Sequence, residues 1–295
     1  METLETLTQR IETTKDLQSL ARSMKTLSAI NVRQFEKAEA SLRLFRQTID
    51  QGLQIVLKQH PPRTTAGTHH GGRQALVVFG SDRGLCGNFN ETVVELTQRH
   101  LAREHLGPDE MHILPVGNLA AIRLERMGIE IDAMMPLAGS VQGISDCCER
   151  ILIRLDTLLK TRKVQWISTI FNRRDEKGEI GPRAHVLMPL RIDHLKSLQK
   201  KPWPSRRLST FSAPPDALFS WLVRQSLLAD LYDAALASLA AENAARLQAM
   251  QRAERSINDK LEEMTADFRR LRQDAITMEL MDIVSGYEIL RSRPM

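Results

Sequence analysis

The chain has 295 residues, a formal net charge of +5 and a pI of about 9.3, with 42% hydrophobic but only 4% aromatic residues. That is enough chain for one large or two small domains, and so few aromatic residues favour long helices with Leu, Met and Ala seams over one thick core. The basic balance invites a nucleic-acid reading, but no helix-turn-helix, zinc-finger or aromatic RNA-binding signature accompanies it, so no nucleic acid is expected as a partner.

Residues 1–51 contain neither glycine nor proline. Leu4, Leu7 and Ile11 open an apolar seam. Leu17, Leu20, Met24 and Leu27 continue it after a one-residue slip at about Thr14 to Leu17, and Phe35, Ala38, Leu42, Phe45 and Ile49 resume it. Steps of three and four mark a helix with a narrow stripe, and a slip would change the supercoil locally. The stretch Lys15 to Arg46 carries seven basic residues against Asp16, Glu36 and Glu39. It is either a solvated face or a surface for an acidic partner. The helix is expected to stop at His60-Pro61-Pro62, where a linker begins. In that linker His69-His70 lack the placed Cys or carboxylate ligands of a metal site.

Gln74 to Phe79 reads as a strand, since Ala75 to Phe79 is a continuous apolar run, the pattern of a strand buried on both faces. A glycine-rich loop, Gly80 to Asn90, follows it, with Asn90 as the expected N-cap of a helix from Glu91 to about His105. Met111 to Val116 reads as a second strand, Asn118 to Met127 as a short helix closed by Gly128, and Ile129 to Met134 as a short strand. A helix over Val141 to Lys160 places Ile144, Cys148, Ile151, Leu155 and Leu158 on one face. Val164 to Phe171 and Ala184 to Ile192 read as strands about the turn Asp175-Glu176-Lys177-Gly178, and Asp193 to Leu208 as a basic connector with Pro202-Trp203-Pro204. Strands alternating with helices and ending in a hairpin indicate a small α/β domain with a mixed sheet.

From Asp216 to Arg293 there is no proline, and the single glycine is Gly286. Leu247, Met250, Ile257, Leu261, Met264, Phe268, Leu271, Ala275 and Met278 form a second seam, interrupted by Asn243 and Glu254. A helix this long would reach roughly 110 Å and needs a partner helix, an enclosing protein, or both. Glu242 to Asp274 has seven acidic and seven basic residues, a balanced and solvated face. The simplest pairing is between the two terminal helices.

Little here suggests catalysis. The Gly80 to Asn90 loop has neither the phosphate-binding spacing with its lysine nor the dinucleotide fingerprint. Cys86 has no histidine nominated as a base by spacing, so it reads as a small buried side chain in a turn allowed by Gly84 and Gly87. No catalytic residue, metal ligand or cofactor is expected. The three cysteines, Cys86, Cys147 and Cys148, suit a reducing cytoplasm; no run approaches the roughly 18 apolar residues of a membrane span, and Met1 to Arg10 is unlike a signal peptide.

Three stretches go further. Arg10-Ile11, Gln18, Met24 and Ala29 match one family's first-helix pattern, Ser81-Asp82-Arg83-Gly84-Leu85-Cys86-Gly87 with Phe89 and Asn90 its loop, and Arg272 to Gly286 its C-terminal signature. On these the chain resembles the gamma subunits of rotary F-type ATP synthases over nearly its whole length. Asn88, Tyr287 and Leu17 depart from the usual pattern. The opening residues and the linker look more like the gamma subunits of second-operon bacterial ATPases, a group associated with sodium transport.

The resemblance implies an antiparallel coiled coil of the terminal helices with an inserted Rossmann-like α/β domain. Its expected parts are a first helix over 1–59, a linker over 60–73, a foot domain over 74–211 and a last helix over 212–295. It implies a non-catalytic central rotor stalk that couples rotation of an ion-driven c-ring to nucleotide chemistry in catalytic beta subunits. The implied partners are the alpha and beta subunits, the epsilon subunit and the c-ring, at the cytoplasmic face of a bacterial inner membrane. Partner contacts carry over to Met24, Lys25, Arg272, Gln273, Thr277 and Glu279, and a structural role to Ser81, Asp82, Gly84, Cys86 and Gly87. The alternatives are a stand-alone coiled-coil scaffold with a Rossmann-like binding domain, or a nucleotide-binding enzyme using the Ser81 to Asn90 loop.

Overall fold

The computed structural model describes residues 3–60, 72–104, 110–190, 192–203 and 209–291, and side chains within these except 192 and 286–291. Most of the linker with His69-His70, the end of the second helix at His105, and Pro204 to Leu208 of the basic connector lie outside them. The elements are α1 (Leu4–Gln59), β1 (Gln74–Phe79), α2 (Phe89–Glu104), β2 (Met111–Val116), α3 (Asn118–Arg126), α4 (Ile144–Thr161), β3 (Trp166–Arg174), β4 (Ile180–Met188), α5 (Ile192–Lys200) and α6 (Pro215–Arg291). The chain divides into two units, one of residues up to Leu27 with those from Leu247 on, the other Ser28–Arg246.

The second unit is built on a four-stranded mixed sheet in the order β2-β1-β3-β4. β1 lies between β2 and β3 and is parallel to both, and β3 turns antiparallel into β4. Side chains alternate across a strand. Ala75, Val77 and Phe79 therefore pack with residues of α1, α4 and α6, while Leu76 and Val78 pack with Val93, Val94 and Leu124 of α2 and α3. Helices on both faces explain why β1 is apolar at every position from Ala75 to Phe79. The expected α4 stripe is buried, and Gly178, with φ of 86°, closes the β3–β4 turn.

Several local expectations are corrected. Ile129 to Met134 forms no strand; only an isolated bridge joins Val116 to Met135. Residues 193–200 of the basic connector belong to a helix, α5, which starts at Ile192 and is tied to α1 where Gln199 Nε2 donates to Leu57 O at 3.1 Å. Asn118 is the first residue of α3 rather than its cap; its N–H donates to Asp82 Oδ1 at 2.8 Å, so the cap comes from the loop after β1. Phe45 is displaced from the α1 seam and is 44% exposed, because Arg46 takes the inward position and pairs with Asp230 at 2.5 Å. Glu242 and Arg246 are not solvated. Both are buried and pair at 2.6 Å on α6, and burial pushes the Glu242 carboxyl above its usual range although Arg246 opposes this.

In the unit made from the chain's two ends, α1 has no slip. Its inward positions are Leu4, Leu7, Ile11, Thr14, Gln18, Ala21 and Lys25, an unbroken alternation of three and four. Further along α1, in the other unit, Ser28, Phe35, Leu42 and Ile49 are buried in the same step. Leu17, Leu20 and Leu27 point to solvent, 51%, 54% and 61% exposed. Polar side chains hold the seam. Gln18 Nε2 donates to Asn258 Oδ1 at 2.6 Å, Arg22 Nε lies 3.3 Å from Glu254 Oε1, and Lys25 also pairs with Glu254. Lys25 and then Arg22 hold the Glu254 carboxyl below its usual range. On α6 Met250 and Met264 are buried and Ile257, Leu261, Phe268 and Leu271 half-buried, but Met278 is 69% exposed and falls outside the seam.

The buried Glu242–Arg246 pair makes a direct prediction. Removing one partner leaves the other charge uncompensated in the interior, which costs about 3 kcal/mol or more. Glu242→Ala is expected to lose about that much unfolding free energy in denaturant titration of the chain. A loss below about 0.5 kcal/mol, the usual effect at a solvated surface, would return the pair to the surface reading.

Candidate subunit interface

The sequence-predicted residues fall into three places. Met24 and Lys25 lie on α1, both half-buried, and Lys25 is committed to Glu254. Leu17, Leu20 and Leu27, which expectation placed inside the seam, instead form an outward apolar stripe on the same segment. Leaving a leucine in water forgoes roughly 1.5 kcal/mol or more. Three at heptad-like spacing on one helix make a contiguous exposed apolar strip.

The second place is the end of α6. Arg272, Gln273, Thr277 and Glu279 are all exposed. Arg272 and Glu279 make no ion pair among the described residues. The Thr277 hydroxyl donates to the Gln273 main-chain carbonyl at 2.9 Å, so it is satisfied by its own helix rather than by the Gln273 side chain. Around them Ile276, Met278, Leu280, Met281, Ile283 and Val284 are exposed as well. At 100° per residue these six spread over an arc of about 220°, wider than one packing stripe, with Arg272, Glu279 and Asp282 on the remaining side. No single partner helix would bury them; an enclosing surface would.

The third place is the loop after β1. Ser81 is buried, its N–H donating to Asn90 Oδ1 at 3.0 Å, its hydroxyl accepting from Asn90 Nδ2 at 2.8 Å and donating to Arg83 O at 3.0 Å. Asn90 thus pins the loop rather than capping α2. Cys86 is 2% exposed and packs with Phe89 and Ala241, and burial pushes its thiol up. Gly87 adopts φ of 62° and uses glycine's freedom. Gly84 does not; a Cβ there would meet open space, and Leu85 takes the other left-handed position with φ of 63°. Arg246 fixes the loop from α6, its guanidinium donating to Gly84 O at 3.3 Å and Arg83 O at 3.2 Å.

A phosphate cradle needs free N–H groups at this turn. Here Ser81 N–H goes to Asn90, Phe89 N–H to Cys86 O and Thr92 N–H to Asn88 O. Asn90 and Arg246 hold the loop from its two sides. Among the described residues no group of His, Cys, Asp and Glu is arranged to hold a metal, and no helix is long and apolar enough to cross a membrane.

Of the basic residues on α1, Arg22 and Lys25 pair with Glu254, Arg43 with Glu39 and Arg46 with Asp230. Lys15, Arg33 and Lys37 make no ion pair among the described residues. The outward stripe and the buried Glu242–Arg246 pair were both missed in sequence. The signal was the step itself: continued from Leu4, Leu7 and Ile11 without a slip, it lands on Thr14, Gln18, Ala21, Lys25 and Ser28.

Known proteins resemble the chain throughout. The family model described as ATP synthase matches residues 3–290. The ATP synthase gamma chain of Jannaschia sp. is 28% identical over 303 residues, covering 98% of this chain and 100% of the relative. That of Paracoccus denitrificans is 26% identical over 300 residues with the same coverage. Among solved structures, a chain of the Euglena gracilis mitochondrial ATP synthase in its OSCP/F1/c-ring structure has a TM-score of 0.64 at 16% identity, covering 99% of this chain and 97% of that one. A chain of the Tetrahymena thermophila mitochondrial ATP synthase central stalk with its c-ring has a TM-score of 0.56 at 20% identity, covering 79% of this chain and 99% of that one. With its sheet, its two terminal helices and a family match over nearly its whole length, the chain belongs to the ATP synthase gamma chain family.

Proposed function

We propose that the chain is the central rotor stalk of a rotary F-type ATP synthase. It is a non-catalytic subunit that couples ion-driven rotation of a membrane ring to nucleotide chemistry in catalytic subunits around it. The observation that carries the reading is the end of α6, where exposed apolar residues between Ile276 and Val284 spread over more than half of the helix's circumference. Such a surface is unfavourable in water and suits a sheath of protein. In this reading the sheath is the hexamer of alpha and beta subunits. α1 and α6 wind as an antiparallel coiled coil, supported by the opposed order of Gln18–Asn258 and Lys25–Glu254 along the two helices. The parts are the helix 1–59, the linker 60–73, the foot domain 74–211 and the helix 212–295, the foot resting on the c-ring beside the epsilon subunit. The whole lies at the cytoplasmic face of a bacterial inner membrane, as a peripheral part of the complex.

The chemistry is conformational. A rotor acts as a moving ligand, shifting each catalytic subunit toward the state whose surface it fits best. Its apolar stripe supplies low-friction contact, and its polar groups supply grip. Arg272, Gln273, Thr277 and Glu279 face hexamer loops, and Met24 with the stripe about it faces the same sheath lower on α1. Lys15, Arg33 and Lys37 keep their charge for an acidic surface. Ser81, Asp82, Cys86 and Gly87 set the joint between sheet and α6, with Arg246 as the pin; Gly84 supplies a carbonyl to that pin rather than a special backbone shape.

Copurification tests the assignment. The tagged chain is expected to bring down alpha and beta subunits in equal amounts from cells that express the complex. Recovery of the chain alone, with the complex intact without it, favours the scaffold reading instead. The grip is testable in the assembled complex. A charged hydrogen bond to a hexamer loop is worth about 1.5–3 kcal/mol, enough to change a rotational barrier by tenfold or more. Arg272→Ala with Glu279→Ala is expected to lower ATP turnover by about that factor, while the melting temperature of the isolated chain moves little. Unchanged turnover would return both residues to an ordinary solvated face.

A further inference from the structure

Among the described residues, the cations that pair with acids inside the unit Ser28–Arg246 are arginines, with two histidines beside them. The lysines of the unit behave differently. There are eight, and none makes an ion pair among the described residues. Six of them, Lys58, Lys160, Lys163, Lys196, Lys200 and Lys201, are exposed at one edge. The topology gathers them there. β1 and β3 start side by side, Gln74 beside Trp166, and β4 ends against Ile167 of β3. α1 runs antiparallel to β3, since Glu36 lies 3.8 Å from Arg174 at the end of β3 and Asp50 lies 3.6 Å from His194 just after β4. Lys58 Nζ donates to Lys201 O at 3.0 Å, which joins the ends of α1 and α5. Only residues 162–165 separate α4 from β3, and Arg162 O accepts from Arg73 at 2.9 Å.

Cations at helix C-termini offset the helix dipole. Lys58, Lys160 and Lys200 stand in the last turns of α1, α4 and α5 and serve that purpose. Lys163, Lys196 and Lys201 are surplus to it. Lys163 has φ of 53° just past the C-cap of α4, a position where glycine is at ease and a lysine is strained. The acids of the same edge are fewer: Glu104, Glu110, Asp193 and Asp216. Arginine's rigid fork suits a fixed carboxylate, as in the pairs within the unit, whereas an ammonium on a long stem suits an anionic surface whose groups move. Three helix ends and a loop present these side chains as a face rather than a cleft. We propose that this edge lies on an anionic phospholipid surface, with its lysines among the headgroup phosphates. Such contacts are worth about fivefold in affinity for each lysine.

The proposal goes beyond the rotor assignment and needs only the full chain, so its failure leaves the copurification result standing. The chain is mixed with vesicles of phosphatidylcholine alone or with phosphatidylglycerol added, and bound protein is read after sedimentation. Binding is expected only with phosphatidylglycerol at about 0.1 M salt, and is expected to vanish at about 1 M, where screening is nearly complete. Inorganic phosphate at matched ionic strength is not expected to compete. Lys163→Gln, Lys200→Gln and Lys201→Gln together are expected to weaken binding about a hundredfold. Lys177→Gln, Arg252→Gln and Arg255→Gln remove the same charge from exposed sites elsewhere and are expected to change it less than about twofold. Lys163→Gly is expected to raise the melting temperature by about 2 °C while weakening binding about fivefold, opposite effects that relief of strain alone does not give. Equal binding to both vesicles, equal loss in the two triple variants, or displacement by phosphate would overturn the proposal. So would normal vesicle binding by a Lys163, Lys200 and Lys201 variant that no longer assembles, which would assign the edge to an acidic protein surface.

Discussion

A helix of 77 residues cannot cover its own apolar surface, and the rest of this structure follows from how that surface is shared out. Along α6 the inward stripe goes to α1, and the part around Leu222 to Leu239 goes to the core above one face of the sheet. The end from Ile276 goes to neither. Part of the α1 seam is polar, since Thr14, Gln18 and Lys25 occupy inward positions while Leu17, Leu20 and Leu27 do not. A helix pair designed only for stability would reverse that choice. Polar seam residues fix register at a cost in stability, the familiar trade of coiled coils. Apolar outward residues gain nothing until something encloses them.

The sheet unit meets α6 at a polar joint. Arg246 is buried, and its charge is divided between Glu242 and the carbonyl oxygens of Arg83 and Gly84. Two charges in the interior repay their desolvation only with good geometry and additional hydrogen bonds. The carbonyls supply those bonds, and in doing so they fix the loop that Asn90 already holds from the other side. The left-handed Leu85 is a consequence: with both ends of the loop pinned, the chain between must turn sharply, and a non-glycine residue takes the strain.

Much of this was legible in the sequence, for physical reasons. Ala75 to Phe79 read as a doubly covered strand because only a strand with packing on both faces is apolar throughout. The long helices read from the absence of glycine and proline. Three family stretches, in order, gave the assignment. The errors share one cause. Assigning the α1 seam by its strongest hydrophobes selects Leu17, Leu20 and Leu27, and so requires a slip; they face solvent, not the seam. Phe45 misled in the same way. Asn90 and Asn118 sit where caps belong, but a cap is decided by which oxygen reaches the free N–H, and here Asp82 reaches across from the loop. Glu242 and Arg246 looked like a solvated i, i+4 pair, because burial at those positions depends on a loop 160 residues away in sequence folding over them.

The central claim is that the leucines on the outer face of α1 are kept for a surrounding partner. The most direct test replaces them together, as Leu17→Gln, Leu20→Gln and Leu27→Gln, and measures both the thermal unfolding of the isolated chain and its incorporation into the complex. The account predicts a melting temperature changed by less than about 3 °C, since these side chains already face water, together with loss of assembly or of turnover. A fall of about 10 °C or more in the isolated chain would place the leucines inside the α1–α6 seam and contradict the account.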